Sequence, residues 1–195
     1  MTLKIYLASR SPRRGELLRQ IGVAFDVLPS DVDESVHPGE APEHYVLRLA
    51  REKAEACAER IAADGLPDLP ILAADTTVCA DGEILGKPER DEDACAMLRR
   101  MSDRWHTVHT GIALAHRGRI EVAISSTQVE VAPLSAAEIA AYVASGEPRD
   151  KAGGYGIQGL AGAFIRRIEG SFSGVMGLPV YETAQLLKKS GLNVL

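Results

Sequence analysis

The sequence predicts a single α/β domain in which helices flank a mixed β-sheet. Two observations carry this prediction: strands and helices follow one another in mixed order, and hairpin-like strand pairs appear in the second half. A chain of 195 residues with 46% apolar and 25% charged residues is enough for one sizeable globular domain. No linker or repeat divides the chain, so we expect one domain over residues 1–195.

The first half of the chain combines two strands with two helices. Residues Leu3–Ala8 form a short apolar run typical of a strand, and Pro12 stands at the first position of the helix that follows. Apolar residues recur at helical spacing over Pro42–Ala63, which predicts a long amphipathic helix. The apolar run Pro70–Cys79 predicts a buried strand that ends near Asp75.

The second half contains strands joined by tight turns, then helices and glycine-rich loops. The two glycine-rich segments, Asp150–Gly159 and Gly170–Gly177, are predicted as loops. The regular elements predicted there are a helix over Asp91–Met101, strands over Thr107–Ala115 and Ile120–Val131, a helix opened by a Ser135–Glu138 capping box and closed at Gly146, a short strand over Ala163–Ile165, and a last helix from near Pro179 to before Gly191.

Composition narrows the class of ligand and the compartment. The net charge of −5 argues against broad nucleic-acid binding, which needs a basic surface, and favours a small anionic ligand held by a few focused cations. No apolar run approaches the length of a membrane span, and the opening residues do not resemble a signal peptide. Cys57, Cys79 and Cys95 form no CxxC pair, so we expect reduced thiols in a cytoplasmic protein without membrane contact.

Two arginines stand where a helix normally prefers acidic residues. With Ser11 as N-cap and Pro12 at the first helical position, Arg13 and Arg14 fall in the first turn, at the positive end of the helix dipole. Free backbone N–H groups and two guanidinium groups at one place make a phosphate-binding site. The alternative is a pair of solvated arginines on an exposed turn.

Carboxylates recur at two places that suit metal or acid–base chemistry. Asp75 ends an apolar strand, where a carboxylate must be paired, hydrated or bound to a cation; a structural salt bridge is the alternative. Asp31, Asp33 and Glu34 form an acidic cluster that is either a solvated loop or part of a Mg²⁺ site, since Mg²⁺ needs only one or two protein carboxylates. Together with the arginines they suggest a metal-assisted reaction of phosphates.

Two lysines are further candidates for contact with an anion. Lys53 lies on the apolar stripe of the long predicted helix, so its side chain either snorkels to solvent or points into a cleft. Lys87 follows Gly86 and precedes Pro88, beside a strand end, and either binds phosphate or is an ordinary turn lysine.

Two further motifs do not support the functions they first bring to mind. His106 and His109 lie three apart in a strand and point to opposite faces, so they do not share a zinc ion. The segment Gly154–Gly159 matches G-x-G-x-x-G but leads into a strand, whereas a dinucleotide-binding loop opens a helix. Its glycines instead permit close approach of a ligand, with Gln158 offering an amide for paired hydrogen bonds.

Taken together, these segments resemble the Maf family of nucleoside triphosphate pyrophosphatases. The resemblance runs in order through nearly the whole chain. The matching segments are Leu7–Ser9, Ser11–Arg14, Val32–Glu34, Arg51–Ala54, Ala74–Thr76, Gly86–Pro88, His109–Gly111, Asp150–Gly153, Tyr155–Gly159 and Val175–Pro179.

The resemblance implies an elongated fold with a twisted sheet, similar to that of inosine triphosphate pyrophosphatases, with two lobes around a cleft. It also implies a homodimer, a divalent metal cation (Mg²⁺ or Mn²⁺), and hydrolysis of a nucleoside triphosphate to the monophosphate and pyrophosphate. The site residues it implies are Asp75 as the proton acceptor, Ser9, Arg13, Arg14, Lys53 and Lys87 on the triphosphate, and Glu34 with Asp75 on the metal.

The same resemblance bears on the choice of nucleotide. Arg13, Thr76 and Gln158, with the run Asp150–Gly159, look like the branch that acts on dTTP, UTP and their modified forms. Gln158 can pair with the imide edge of uracil or thymine, which rejects other bases by leaving polar groups unpaired. Three alternatives remain open: a partner-binding role in inhibiting septum formation, action on 7-methyl-GTP, and removal of damaged purine triphosphates.

Overall fold

The computed structural model describes residues 4–192 and residue 194. A seven-stranded mixed sheet has the order β2-β1-β3-β5-β6-β7, and β4 pairs with β3 beside this path, which confirms the predicted fold class. The strands are β1 (Lys4–Leu7), β2 (Ala24–Val27), β3 (Ile71–Ala80), β4 (Glu83–Leu85), β5 (Trp105–His116), β6 (Arg119–Val131) and β7 (Ile165–Glu169). The helices are α1 (Pro12–Gln20), α2 (Pro42–Asp64), α3 (Asp91–Met101), α4 (Ala136–Ala144), α5 (Phe172–Met176) and α6 (Val180–Lys189).

Three long antiparallel strands connect the two ends of the molecule. β3, β5 and β6 have 10, 12 and 13 residues, and each pairs with the next in antiparallel register. At one end, β1 lies parallel to both β2 and β3. A strand of this length spans about 40 Å, so one sheet carries separate cores at its two ends.

Each end of the sheet has its own apolar packing. At the β1 end, α2 covers one face with residues such as Ala50 and Cys57, and Leu18 and Leu187 from α1 and α6 cover the other. At the far end, residues of α3 and α4 such as Leu98 pack on the same face as α6 does. The two cores form two lobes, and the open space between them is the cleft.

The cleft opens along a part of the outer edge of β3 where, in the described part of the chain, no strand lies beside it. β1 pairs with β3 only through Ile71 and Leu72, and β4 pairs with it only from Val78 onwards. Residues 73–77 lie between these pairings, in the middle of the strand. The prediction that β3 ends near Asp75 was therefore wrong: β3 continues to Ala80 on β5, and it is the opposite edge that is free at Asp75.

Several element boundaries also differ from the sequence predictions. The predicted strand Ala163–Ile165 is replaced by a 3₁₀ turn over Leu160–Phe164, and β7 follows it. The glycine-rich segment 170–177 contains the short helix α5, and strand β2 was not predicted. Leu3, placed in the first predicted strand, lies outside the described residues. Within the described ranges, no helix is long and apolar enough to cross a membrane.

Candidate active site

Arg14 forms the base of the cleft and holds its charge without a carboxylate partner. Its guanidinium donates to the Gly177 carbonyl at 2.7 Å, to Ser9 Oγ at 2.9 Å and to Thr76 Oγ1 at 3.2 Å. All three acceptors are neutral, and among the described residues no carboxylate forms an ion pair with Arg14. Burial lowers the pKa of Arg14 from its ordinary value, with partial opposition from Asp75. A cation so placed favours an anionic ligand.

The start of α1 reinforces this preference for an anion. Ser11 occupies the N-cap position and Pro12 the first helical position, as predicted, but no side chain caps the helix and its first turn has no acidic residue. Arg13 is half-buried at the mouth of the cleft, where its Nη1 lies 3.7 Å from Asp150 Oδ2 on the opposite wall. The structure therefore brings both arginines to the α1 side of the cleft.

Lys53, Asp75 and Glu34 meet on the other side. The Lys53 ammonium lies 2.7 Å from Asp75 Oδ1 and 2.6 Å from Glu34 Oε1. Lys53 and Asp75 are both buried, so the lysine on the apolar stripe of α2 points into the cleft and does not snorkel to solvent. Exposed Lys87 adds a second cation, with its Nζ 3.9 Å from Glu34 Oε2.

A glycine on β5 lets α2 come close enough to deliver Lys53. Gly111 pairs with Asp75 across the sheet, and a Cβ at Gly111 would lie only 2.5 Å from the Val46 carbonyl oxygen of α2. Contacts that short do not occur between real atoms, so any side chain at this position pushes α2 away from the sheet. Gly111 thus helps to set the distance between Lys53 and Asp75.

The two carboxylates differ in their tendency to hold a proton. Burial raises the pKa of Asp75 above its ordinary value, although Lys53 and Arg14 oppose the shift. Burial also works against the ionisation of Glu34, but the contacts with Lys53 and Lys87 outweigh it and lower its pKa. Asp75 is therefore suited to accept a proton, because a general base works best when its pKa lies near the working pH, whereas Glu34 stays ionised.

Glu34 is the one member of the predicted acidic cluster that faces the cleft. Asp31 pairs with Arg10 at 2.6 Å, and Asp33 Oδ1 accepts the backbone N–H of Ser35 at 2.9 Å. The cluster therefore divides into a surface ion pair, a local turn and one cleft residue. The solvated-loop interpretation holds for Asp31 and Asp33 but not for Glu34.

The loop 28–41 that carries Glu34 is fastened to α2 by residues that the sequence interpretation missed. The Tyr45 hydroxyl donates to the Glu34 carbonyl oxygen at 2.9 Å. Arg48 donates to both carboxylate oxygens of Glu40, at 2.6 and 2.7 Å, and to the Ser35 carbonyl oxygen at 3.0 Å. The hydrogen bonds from Arg48 lower the pKa of Glu40 to about 2. Because α2 also carries Lys53, these contacts fix Glu34 relative to Lys53.

The residues present suit a divalent cation with a small protein ligand set. Across the described residues, no group of three or more histidine, cysteine or acidic side chains has metal-binding geometry. Glu34 and Asp75 nevertheless both contact the Lys53 ammonium nitrogen, so their carboxylates lie near each other on one side of the cleft. Mg²⁺ is commonly held by one or two carboxylates, with water and substrate phosphates completing its shell.

Gln158 and Thr76 lie in the cleft in different settings. Gln158 is exposed on the cleft wall formed by the loop 150–159, and within the described residues its side-chain amide makes no hydrogen bond to protein. Thr76 faces away from Asp75, and its hydroxyl binds Arg14 and lies 2.9 Å from Thr110 Oγ1. The contacts of Thr76 are thus with the arginine that holds the cleft floor.

The two histidines each form a hydrogen bond with a hydroxyl group, and the glycine motif does not open a helix of the dinucleotide-binding kind. His106 Nε2 lies 2.7 Å from the Tyr155 hydroxyl, and His109 Nδ1 lies 2.8 Å from Ser126 Oγ on the opposite face of β5. Burial lowers the pKa of His106 to about 4. The segment Gly154–Gly159 follows a turn after α4 and leads into a 3₁₀ turn, so its context is not that of a dinucleotide-binding loop.

The cleft has a volume of about 550 Å³, and residues from both lobes line it. Cations stand on both sides of a buried carboxylate, and the loop that carries Gln158 forms one wall. Together, fold and cleft define an α/β protein whose cleft gathers positive side chains around a buried carboxylate, an arrangement suited to an anionic ligand. Residues 4–190 match the family model described as Maf-like protein, and the chain belongs to the Maf family.

Relatives of high similarity cover almost the whole chain. A dTTP/UTP pyrophosphatase of Methylobacillus flagellatus is 65% identical over 98% of this chain and 94% of its own length. A dTTP/UTP pyrophosphatase of Chromobacterium violaceum is 55% identical over 98% of this chain and 96% of its own length. The solved structure of the Staphylococcus aureus Ham1 protein has 18% identity and a TM-score of 0.45, covering 66% of this chain and 71% of that one.

Proposed function

We propose that this protein hydrolyses dTTP and UTP, or their modified forms, to the nucleoside monophosphate and pyrophosphate. The observation that carries the proposal is the buried Asp75 carboxylate at the free edge of β3, with Lys53 at 2.7 Å and Arg14 on the cleft floor. The names of the Maf relatives with 65% and 55% identity support the same activity.

In the proposed reaction, the cations of the cleft hold the triphosphate. Arg14 and Arg13 bind it from the α1 side and Lys53 and Lys87 from the other, while Ser9 keeps Arg14 in place through its hydroxyl. Arg14 and Lys53 are held by several short contacts before the substrate arrives, so they stabilise developing charge with little reorganisation. Removal of one such group typically costs about 3–4 kcal/mol in the barrier.

Asp75 acts as the general base in this proposal. A water molecule beside Asp75 gives its proton to the carboxylate while its oxygen attacks the α-phosphorus, and pyrophosphate leaves with the electrons of the broken P–O bond. The raised pKa of Asp75 brings its basicity nearer to neutral pH than that of an ordinary aspartate.

We also propose that Glu34 and Asp75 hold a divalent cation, Mg²⁺ or Mn²⁺. A bound divalent ion supplies positive charge to the phosphates and acidifies water in its shell. The contact of both carboxylates with one ammonium supports this pairing. Manganese binding to the substrate-free protein, followed by electron paramagnetic resonance, tests it through the variants Glu34→Gln and Asp75→Asn.

The nucleobase of the substrate is proposed to lie against the loop 150–159. The free amide of Gln158 offers one donor and one acceptor, which match the imide edge of uracil and thymine. Arg13 and Thr76 complete the proposed specificity set, Arg13 from the cleft mouth and Thr76 through its hydrogen bond to Arg14.

The test is pyrophosphate release from dTTP, UTP, CTP, ITP and 7-methyl-GTP with Mg²⁺ or Mn²⁺. We expect dTTP and UTP to be hydrolysed fastest. When the water carries an oxygen isotope label, we expect the label to appear in the monophosphate. Gln158→Ala should lower kcat/KM for both, whereas Gln128→Ala, an exposed glutamine on β6, should not. Leading turnover of another nucleotide contradicts the proposed specificity, and no turnover of any nucleotide contradicts the proposed activity.

We further propose a cytoplasmic homodimer. The free thiols of Cys57, Cys79 and Cys95 support a reducing compartment, and the dimer rests on the family resemblance. Light scattering coupled to size-exclusion chromatography tests the dimer, which a mass of one chain, 20.9 kDa, contradicts.

A further inference from the structure

Glu147 follows α4 and contacts both ends of the loop that is proposed to face the nucleobase of the substrate. Its carboxylate accepts the Tyr142 hydroxyl at 3.0 Å, the Leu160 N–H at 2.8 Å and the Ala161 N–H at 3.2 Å. Its backbone carbonyl accepts Lys151 Nζ at 2.7 Å. One residue outside the cleft thus contacts the chain on either side of the segment 152–159.

The carboxylate of Glu147 stabilises the turn that comes directly after Gln158. Leu160 and Ala161 begin the 3₁₀ turn, and their N–H groups have no acceptor inside the turn. The Glu147 carboxylate accepts both of them. Gly159 leaves room for this contact, because a Cβ there would lie 2.5 Å from the Glu147 carboxylate oxygens. The backbone next to Gln158 is therefore built around that carboxylate.

The same contacts reach the middle of the loop. Tyr142, which donates to Glu147, accepts the Gly156 N–H at 3.3 Å. Gln158 is exposed and its side chain makes no hydrogen bond to protein within the described residues. The direction of its amide therefore depends on the backbone from Gly156 to Leu160, which Tyr142 and Glu147 hold.

We infer that Glu147 is a positioning residue for base selection: it sets the backbone that presents Gln158 to the nucleotide, although it does not touch the substrate. The inference rests on the proposed pyrophosphatase function and extends it to a residue outside the cleft. A misplacement of about 1 Å at a reacting or recognition group can cost about 100-fold in rate, so loss of this support should weaken base selection.

The test compares two glutamate-to-glutamine changes. In Glu147→Gln, one carboxylate oxygen becomes an amide group that cannot accept an N–H, so at least one hydrogen bond of the turn is lost. We expect kcat/KM for dTTP to fall about 10-fold, and the ratio of dTTP to CTP to shrink. Glu138→Gln is the matched control, because Glu138 also accepts a backbone N–H, that of Ser135 at 2.7 Å, at the distant start of α4.

The melting temperature of each variant separates positioning from stability. Glu138→Gln keeps an oxygen that can accept the Ser135 N–H, so it should leave both the melting temperature and the dTTP-to-CTP ratio near the wild-type values. Glu147→Gln should change the ratio, and Glu147→Asp should restore part of it. Gly159→Ala is a second variant, since its methyl group displaces the Glu147 carboxylate and should change the ratio in the same way.

The failures of the two ideas are distinguishable. If the wild-type protein prefers dTTP and both Glu147→Gln and Gly159→Ala keep that preference, the positioning role is wrong and the proposed function stands. If the wild-type protein hydrolyses none of the triphosphates, the proposed function fails and the positioning role fails with it.

Discussion

Replacing Asp75 with asparagine removes the proposed base and keeps the shape of the side chain. Asp75 is 8% exposed and lies at the free edge of β3. Asparagine fills the same volume, but its amide is not a base at neutral pH. The substitution therefore separates the chemical roles proposed for the carboxylate, base and metal ligand, from the packing of the side chain.

The expected loss in rate follows from the role of the carboxylate. A positioned general base contributes about 100- to 10,000-fold, or about 3–5 kcal/mol in the barrier. Loss of one member of a buried ion pair typically destabilises a protein by about 3–5 kcal/mol. Here the loss of stability should be smaller, because Lys53 keeps Glu34 at 2.6 Å and is not left unpaired.

Three measurements on Asp75→Asn test this reasoning. Pyrophosphate release should fall by at least about 100-fold, and the rise of kcat/KM with pH that reports deprotonation of Asp75 should disappear. Calorimetry with an imido analogue of dTTP, at saturating Mg²⁺, should still show binding, since the arginines and lysines that line the cleft are unchanged. Near-normal kcat in a folded variant refutes Asp75 as the base.

Two further predictions concern the supports of the site, and a third concerns the stability of the fold in acid. Arg48→Met releases Glu40 and the Ser35 carbonyl oxygen from α2, so kcat/KM should fall about 10-fold through misplacement of Glu34. Gly111→Ala forces α2 from β5 and should lower the free energy of unfolding by about 1–3 kcal/mol or more in urea denaturation. His106 has a pKa of about 4 when folded and an ordinary value of 6.5, so between these pH values it stays neutral in the folded protein while the unfolded chain binds a proton. The free energy of unfolding should therefore fall by about 3 kcal/mol between pH 6.5 and pH 4 on account of this histidine. In His106→Gln, urea unfolding curves should no longer show this loss.

Each of these predictions has its own control or contradicting result. Arg51→Met changes an exposed arginine on the same helix, and an equal loss of kcat/KM in that variant contradicts the role given to Arg48. A melting temperature of Gly111→Ala equal to that of the wild type means that α2 does not pack as described. An acid dependence of unfolding that is the same with and without His106 shows that this imidazole is not responsible.

Local patterns in the sequence predicted much of the fold. The apolar stripe of α2 and the alternating residues of β6 follow directly from which side chains face the core. Turn-rich segments were harder, because glycine permits many conformations: the chain over Leu160–Phe164 forms a 3₁₀ turn that Glu147 stabilises from outside the segment. The short strand β2 has little burial of its own, and it is its pairing with β1 that makes it a strand.

The residue types of the site were visible in the sequence because they break local rules. Arginines in the first turn of α1, a lysine on the apolar face of α2 and an aspartate in a buried strand each cost stability unless a partner or ligand compensates. Such misfits identify the residues, but they do not show which partner each one has. Asp31 and Asp33 fit the acidic pattern as well as Glu34 does, but they do not line the cleft.

The sequence by itself determined the α/β class, the main helices and the polar residues available for chemistry, because burial and periodicity are local properties of the chain. The tertiary structure alone decided that β1 and β4 leave the edge of β3 open at Asp75, and that Lys53 meets both Asp75 and Glu34. It also decided that Arg14 binds the Gly177 carbonyl, 163 residues away along the chain. Contacts over such separations depend on how whole elements pack, and no short window of sequence contains that information.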